Sequence, residues 1–189
     1  MKKILGVIGS PRRNGNTHIL VSRILEGASD GGMTPEAIFL NDLSIKECDG
    51  CHVCWKTERC IKKDDMSHLY QKIIESDVIV LGTPVYWYGP TALMKGFIDR
   101  FVYFNCPKNT IKMKDKLAII AIPFEEEDNN TVAPVISFFE KSLDFLNVKL
   151  IGKIIAPGVT LKGEVKKETE YMQKAYELGR KAAKDINTT

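Results

Sequence analysis

Residues 4–17 read ILGVIGSPRRNGNT, an apolar run that breaks into a small, polar and basic loop and then into a helical pattern. Ile4, Leu5, Val7 and Ile8 lack the polar alternation of a half-exposed strand, which predicts a strand covered on both faces. In the loop, Gly9 and Gly15 permit a tight backbone path. Ser10, Asn14, Asn16 and Thr17 bring hydroxyls, amides and a candidate N-cap, and Arg12 and Arg13 bring charge. At a helix N-terminus such a loop collects free N–H groups and the positive end of the helix dipole, which suits a phosphate. From composition alone a well-capped polar turn reads the same way. Three reactive or nucleotide-specific loops are excluded, because the stretch has no G-x4-G-K-[ST], no G-x-G-x-x-G and no nucleophilic cysteine. The remaining reading is a phosphate that is held without being reacted.

Further apolar runs follow at Ala37–Leu40, Val78–Leu81, Leu117–Ile122 and Leu150–Ile155. Between them lie helical periodicities at about Thr17–Ser29, Met66–Glu75 and Thr131–Phe145. Another has Pro90 near its first turn and Met94, Phe97, Ile98 and Phe101 on one face, and a last one runs from about Lys166 to Asp185. Five alternations of strand and helix predict an α/β fold with a five-stranded parallel sheet. No repeat, low-complexity tract or linker divides the chain, so residues 1–189 read as a single domain. Its one long irregular stretch, residues 41–65, reads as an insertion of functional type.

The third strand runs into TPVYWYGP, Thr83–Pro90. Ligands of open parallel sheets sit beyond the carboxyl ends of the strands, so three consecutive aromatics there supply a flat wall beside the phosphate loop, or else cover core or a subunit contact. Together the two loops ask for a ligand with one phosphate and one large flat ring. A net charge of +3 from 27 basic and 24 acidic residues, evenly spread, implies neither nucleic acid nor an anionic membrane as partner. The opening MKKILGVIGS mimics a signal peptide, yet its apolar run stops at PRRNGN, and no stretch reaches the roughly 18 residues of a membrane span. A cytoplasmic location is expected, where thiols stay reduced.

Four of the five cysteines fall in CDGCHVCWKTERC, residues 48–60. The spacing lets Cys48, Cys51, Cys54 and Cys60 converge on an iron–sulfur cubane, while an empty thiol loop, zinc or a disulfide are the alternatives. Cys106 reads as a small buried hydrophobe, and His18, His52 and His68, the last beside an Asp65 cap, read as structural. Glu125–Asp128 form an acidic, solvated stretch ahead of a helix.

The pairing of GSPRRNGNT with TPVYWYGPTALMKGFIDRF resembles the flavodoxin-like NAD(P)H-dependent FMN reductases over nearly the whole chain. The cysteine run followed by IKKDDM is similar to the iron–sulfur flavoproteins of that superfamily. The resemblance implies a three-layer sandwich with strand order 2-1-3-4-5. It implies an FMN phosphate on Ser10, Arg12, Asn14, Asn16 and Thr17, with the isoalloxazine against Pro84, Val85, Tyr86 and Trp87. A 4Fe-4S cluster on Cys48, Cys51, Cys54 and Cys60 is also implied, as is assembly into homodimers or homotetramers. The expected activity is electron transfer from NAD(P)H or ferredoxin through FMN to a small acceptor, with no catalytic side chain required. Two alternatives are an electron carrier without turnover of its own and a zinc-stabilised binding module. Many relatives carry a glycine-rich loop after the fourth strand where this chain has IPFEEEDNNT, so the contacts of that loop are not carried over.

Overall fold

A computed structural model describes residues 1–188, with side chains through Ile186. The chain runs β1 (Lys3–Ile8), α1 (Asn16–Asp30), β2 (Thr34–Phe39), α2 (Val53–Thr57), α3 (Met66–Glu75) and β3 (Val78–Gly82). It continues through the two-residue strands β4 (Val85–Tyr86) and β5 (Gly89–Pro90), then α4 (Ala92–Asp99), β6 (Leu117–Pro123), α5 (Ala133–Phe145), β7 (Lys149–Ala156) and α6 (Thr169–Thr188). The main sheet has the order β2-β1-β3-β6-β7 with every pairing parallel. Counting its own strands alone, this is 2-1-3-4-5, as expected. β4 and β5 form a separate antiparallel hairpin.

Side chains alternate between two cores. Leu5, Val7, Leu81 and Ile120 face a layer that includes Leu69 of α3, Met94 and Phe97 of α4 and Phe139 of α5. Ile4, Ile8, Val80 and Ile119 face Leu20 and Ile24 of α1 and Ala182 of α6. Burial of each such Leu, Ile or Phe contributes about 1.5–3 kcal/mol, so both faces hold the sheet. α1 and α6 meet backbone to backbone. A Cβ at Gly27 would stand 2.1 Å from the Tyr176 carbonyl oxygen, and one at Gly179 would stand 2.0 Å from that of Ile24. Only glycine allows this approach. It ties α6 to the helix that follows the Gly9–Gly15 loop.

Several boundaries differ from the sequence reading. β2 begins at Thr34 rather than Ala37 and is an edge strand whose first residues are exposed, so it lacks a continuous apolar run. α1 begins at Asn16 after Gly15, with no side-chain cap, so Thr17 lies inside the first turn. Pro90 lies in the hairpin, and Thr91 caps α4 by accepting a hydrogen bond from Met94 N at 3.2 Å. Asp65 precedes α3 but does not cap it, because its carboxylate accepts from Ser44 N at 2.7 Å and ties down the cysteine-bearing stretch. Among the described residues no helix is long and apolar enough to cross a membrane.

Candidate functional site

The carboxyl ends of β1, β3, β6 and β7 open at one rim of the sheet, and the loops leaving them wall a single cleft. Its lining includes Ser10, Arg12, Gly15, Asn16 and Thr17 from the first loop and Pro84, Val85 and Tyr86 from the third-strand loop. The sequence-predicted phosphate loop and aromatic wall thus face one space. Asn14 and Trp87 lie outside this lining. A wider groove of about 670 Å³ runs along α5 and β7. It lies along the edge strand of the sheet, and its exposed Lys153 and Glu140 pair with each other.

The first loop is built from its own backbone. Gly15 N donates to Arg12 O at 3.0 Å, and a Cβ on Gly15 would sit 2.9 Å from that oxygen, which favours glycine there. Ser10 is buried, and its Oγ accepts from Arg12 N at 3.3 Å. With no side chain capping α1, its first-turn N–H groups are left for an anion. Asn14 adopts φ 57° and donates its N–H to His18 Nδ1 at 3.0 Å. His18 stands edge-on to Phe39 with ring centroids 4.7 Å apart, and burial, then Arg13 and Lys166, lower its pKa below the ordinary imidazole value. Arg13 is pulled from the cleft, since its guanidinium lies 4.4 Å over the Phe39 ring and pairs with Asp42. Of the two loop arginines, Arg12 is the one that lines the cleft.

The aromatic loop is braced on the same framework. Thr91 Oγ1 donates to Gly9 O, Thr91 N donates to Thr83 Oγ1 at 3.1 Å, and Gly9 N donates to Gly82 O at 2.8 Å. The β4–β5 hairpin turns on Trp87 and Tyr88 with φ 49° and 60°, a conformation that normally selects Asn and Gly. Trp87 is 96% exposed at the tip, while Tyr86 reaches back to the cleft.

Sequence reasoning missed the other half of the wall. Pro123, Phe124 and Glu125 line the cleft despite the departure of their loop from the glycine-rich pattern, and Val159, Thr160 and Lys162 join them from the loop after β7. The backbone couples these two loops, with Phe124 N donating to Ala156 O at 2.9 Å and Val159 N donating to Phe124 O at 3.0 Å. The signal that pointed to them was the parallel sheet itself, which brings every β-to-α loop to the same rim. Glu126, Glu127 and Asp128 are exposed as expected. None of the three histidines lines the cleft.

Four of the five cysteines gather in a second, separate pocket. Cys48, Cys51, Cys54 and Cys60 line one small pocket with His52, Tyr70, Arg100 and Tyr103. α2, which carries Cys54, is pinned by Trp55 Nε1 donating to Val102 O at 3.1 Å. Arg100 is buried, pairs with Asp64, donates from Nη1 to Lys46 O at 2.8 Å, and directs Nη2 at Cys60 Sγ at 3.2 Å. Burial, and after it the neighbouring thiols, raises the pKa of Cys54. Among the described residues, no three His, Cys, Asp or Glu side chains are placed to hold a metal ion, so the thiols share a pocket without forming a ligand set. Cys106 is fully buried away from the pocket lining, as expected.

The chain matches the NADPH-dependent FMN reductase family over residues 2–125. It is similar to an iron–sulfur flavoprotein of Archaeoglobus fulgidus, 31% identical over 182 residues, or 96% of this chain and 79% of the relative. A second similar protein, iron–sulfur flavoprotein MJ1083 of Methanocaldococcus jannaschii, is 39% identical over 98 residues, and the alignment spans about half of each chain. A solved flavodoxin from the domain Archaea superposes with TM-score 0.61 over 99% of both chains at 12% identity, a likeness of fold.

Proposed function

Because the chain belongs to the NADPH-dependent FMN reductase family, we propose that residues 1–189 form one FMN-dependent oxidoreductase domain whose cofactor lies in the four-loop cleft. The observation that carries this reading is the meeting of an uncapped helix N-terminus, and Arg12 of the loop before it, with the Pro84–Tyr86 wall in one cleft. The first-turn N–H groups of α1, the Arg12 guanidinium and the hydroxyls of Ser10 and Thr17 hold the phosphate, with Asn14 and Asn16 shaping the loop around it. Pro84, Val85 and Tyr86 orient the ring system, with Trp87 extending the wall at the hairpin tip. FMN, when bound, would supply the hydride and electron-transfer chemistry between a nicotinamide donor and an acceptor. The protein orients the rings, limits water at their face and sets the potential by hydrogen bonding. No side-chain acid or base is assigned.

The four thiols are the proposed ligands of a 4Fe-4S cluster, supported by their shared pocket and by the iron–sulfur flavoprotein relatives. Cys48, Cys51, Cys54 and Cys60 would hold the irons, and the cluster would connect the flavin to one-electron partners such as ferredoxin. NAD(P)H or ferredoxin is the proposed donor, a small molecule such as a quinone or free flavin the acceptor, and a homodimer or homotetramer the assembly.

Anaerobic purification followed by an absorbance spectrum, with flavin, iron, sulfide and zinc counted per chain, tests this reading. One FMN and four irons per chain, with NAD(P)H oxidation, are expected. Colourless protein that binds no FMN at micromolar concentration would refute it, and stoichiometric zinc without flavin would establish a binding module instead.

A further inference from the structure

The side chain of Asn16 does not face the cleft as a free donor. Its Nδ2 donates to Val159 O at 3.2 Å and to Leu161 O at 3.0 Å, and its Oδ1 accepts from Val165 N at 3.2 Å. A primary amide has two N–H bonds, and both are spent on the loop that follows β7. That loop is ordered in its own right. Glu164 accepts from Thr160 N at 3.0 Å and from Leu161 N at 2.8 Å, and Gly163 turns at φ 79°. It lies directly on the phosphate loop, since a Cβ at Gly163 would stand 3.5 Å from Asn14 O and 3.7 Å from Ile19 Cδ1. At its crest Lys162 is exposed and lines the same cleft as Ser10 and Arg12. The stretch lies beyond residue 125, where the family match ends.

Charge gives this placement a purpose. A phosphate monoester carries about −1.5 to −2 near neutral pH. One guanidinium and a helix dipole worth roughly half a charge supply about +1.5, which leaves up to about half a charge uncompensated. We propose that Lys162 is a second cationic contact for the phosphate of the flavin, and that Asn16 serves that phosphate indirectly, as the positioning residue that seats the Lys162 loop. This rests on the FMN reading above. Glu125 also lines the cleft and is the competing partner for the ammonium.

Titration of the flavin-free 189-residue chain with FMN and with riboflavin, which lacks the phosphate, followed by flavin fluorescence, tests the assignment. Lys162→Met is expected to weaken FMN binding about tenfold and leave riboflavin binding unchanged, with Lys162→Arg restoring most of the loss. Asn16→Ala is expected to weaken FMN similarly and to speed amide exchange in residues 159–165. The double variant is expected to bind FMN no more weakly than the worse single variant, because both act through one contact. Lys162 is exposed, so Lys162→Met keeps the fold whatever Asn16→Ala does. Equal losses for FMN and riboflavin would assign Lys162 to Glu125 and overturn the proposal, as would wild-type FMN affinity in Lys162→Met. Multiplying losses in the double variant would overturn the positioning role of Asn16. Wild-type protein that binds neither flavin would instead sink the FMN reading itself, and this inference with it.

Discussion

Arg100 and Asp64 pair with both side chains 1% exposed, and the same guanidinium lies against Cys60 Sγ. Burial pushes the Asp64 carboxyl up, but the Arg100 hydrogen bonds and the backbone N–H of Lys46 more than offset it and hold its pKa below the usual carboxylate range. Asp64→Asn leaves a buried, unpaired guanidinium, and a loss of about 3–5 kcal/mol is expected by urea unfolding. Because the folded pKa is depressed, the stability from ionised Asp64 is present above about pH 3.9 and is lost as the pH falls through the lower folded value. The asparagine variant should lack that acid-side loss.

His18 titrates in the opposite sense. Its Nδ1 accepts from Asn14 N, so the bond needs a ring unprotonated at that nitrogen. Burial, with Arg13 and Lys166 nearby, lowers its folded pKa below 6.5, so the unfolded chain takes up the proton first. The stability contributed by neutral His18 is full above about pH 6.5 and declines as the pH falls to the folded value. His18→Gln keeps an acceptor without a titration. Thermal midpoints measured between pH 8 and pH 5 should therefore fall less in this variant than in the wild type.

The hairpin stores strain at Trp87 and Tyr88, both with positive φ. Replacing the pair with Asn and Gly supplies the residues such a turn favours. An increase in stability of about 1–2 kcal/mol is expected, together with weaker riboflavin binding from the lost aromatic surface. An unchanged or lower thermal midpoint would show that the tip carries no strain.

Close helix packing gives a matched pair of glycine tests. Gly179→Ala drives a methyl into the Ile24 carbonyl and should cost about 2 kcal/mol, or roughly 4–8 °C in Tm. At Gly96 in α4 nothing lies within 4 Å of an added Cβ, so Gly96→Ala should raise Tm through helix propensity. Calorimetry on the two variants reads both signs.

The fold was legible where one segment carries its own signal. The Met66–Glu75 helix falls where its periodicity placed it, and the first strand with its loop follows directly from residues 4–17. Local chemistry misled at Asp65, whose carboxylate serves Ser44 across the loop instead of capping its own helix. β2 was partly hidden because an edge strand needs no apolar run in its exposed half. In the cleft, the meeting of the Gly9–Thr17 loop with the Thr83–Pro90 loop could be read, but the bonds of Asn16 and the arrival of Lys162 could not. Asn16 spends its amide on carbonyls as much as 145 positions away, and no local pattern encodes that distance.

Helix α4 is tethered at both ends, through Thr91 to Gly9 and through Arg100 to Asp64. It therefore sets a fixed span of about 13 Å, nine steps of 1.5 Å, between the cleft rim and the thiol pocket. Inserting or deleting one residue within 92–99 would swing Arg100 by about 100° and break its grip while Thr91 stayed in place. Length variation should be forbidden within this rod and tolerated in the acidic loop at residues 127–130.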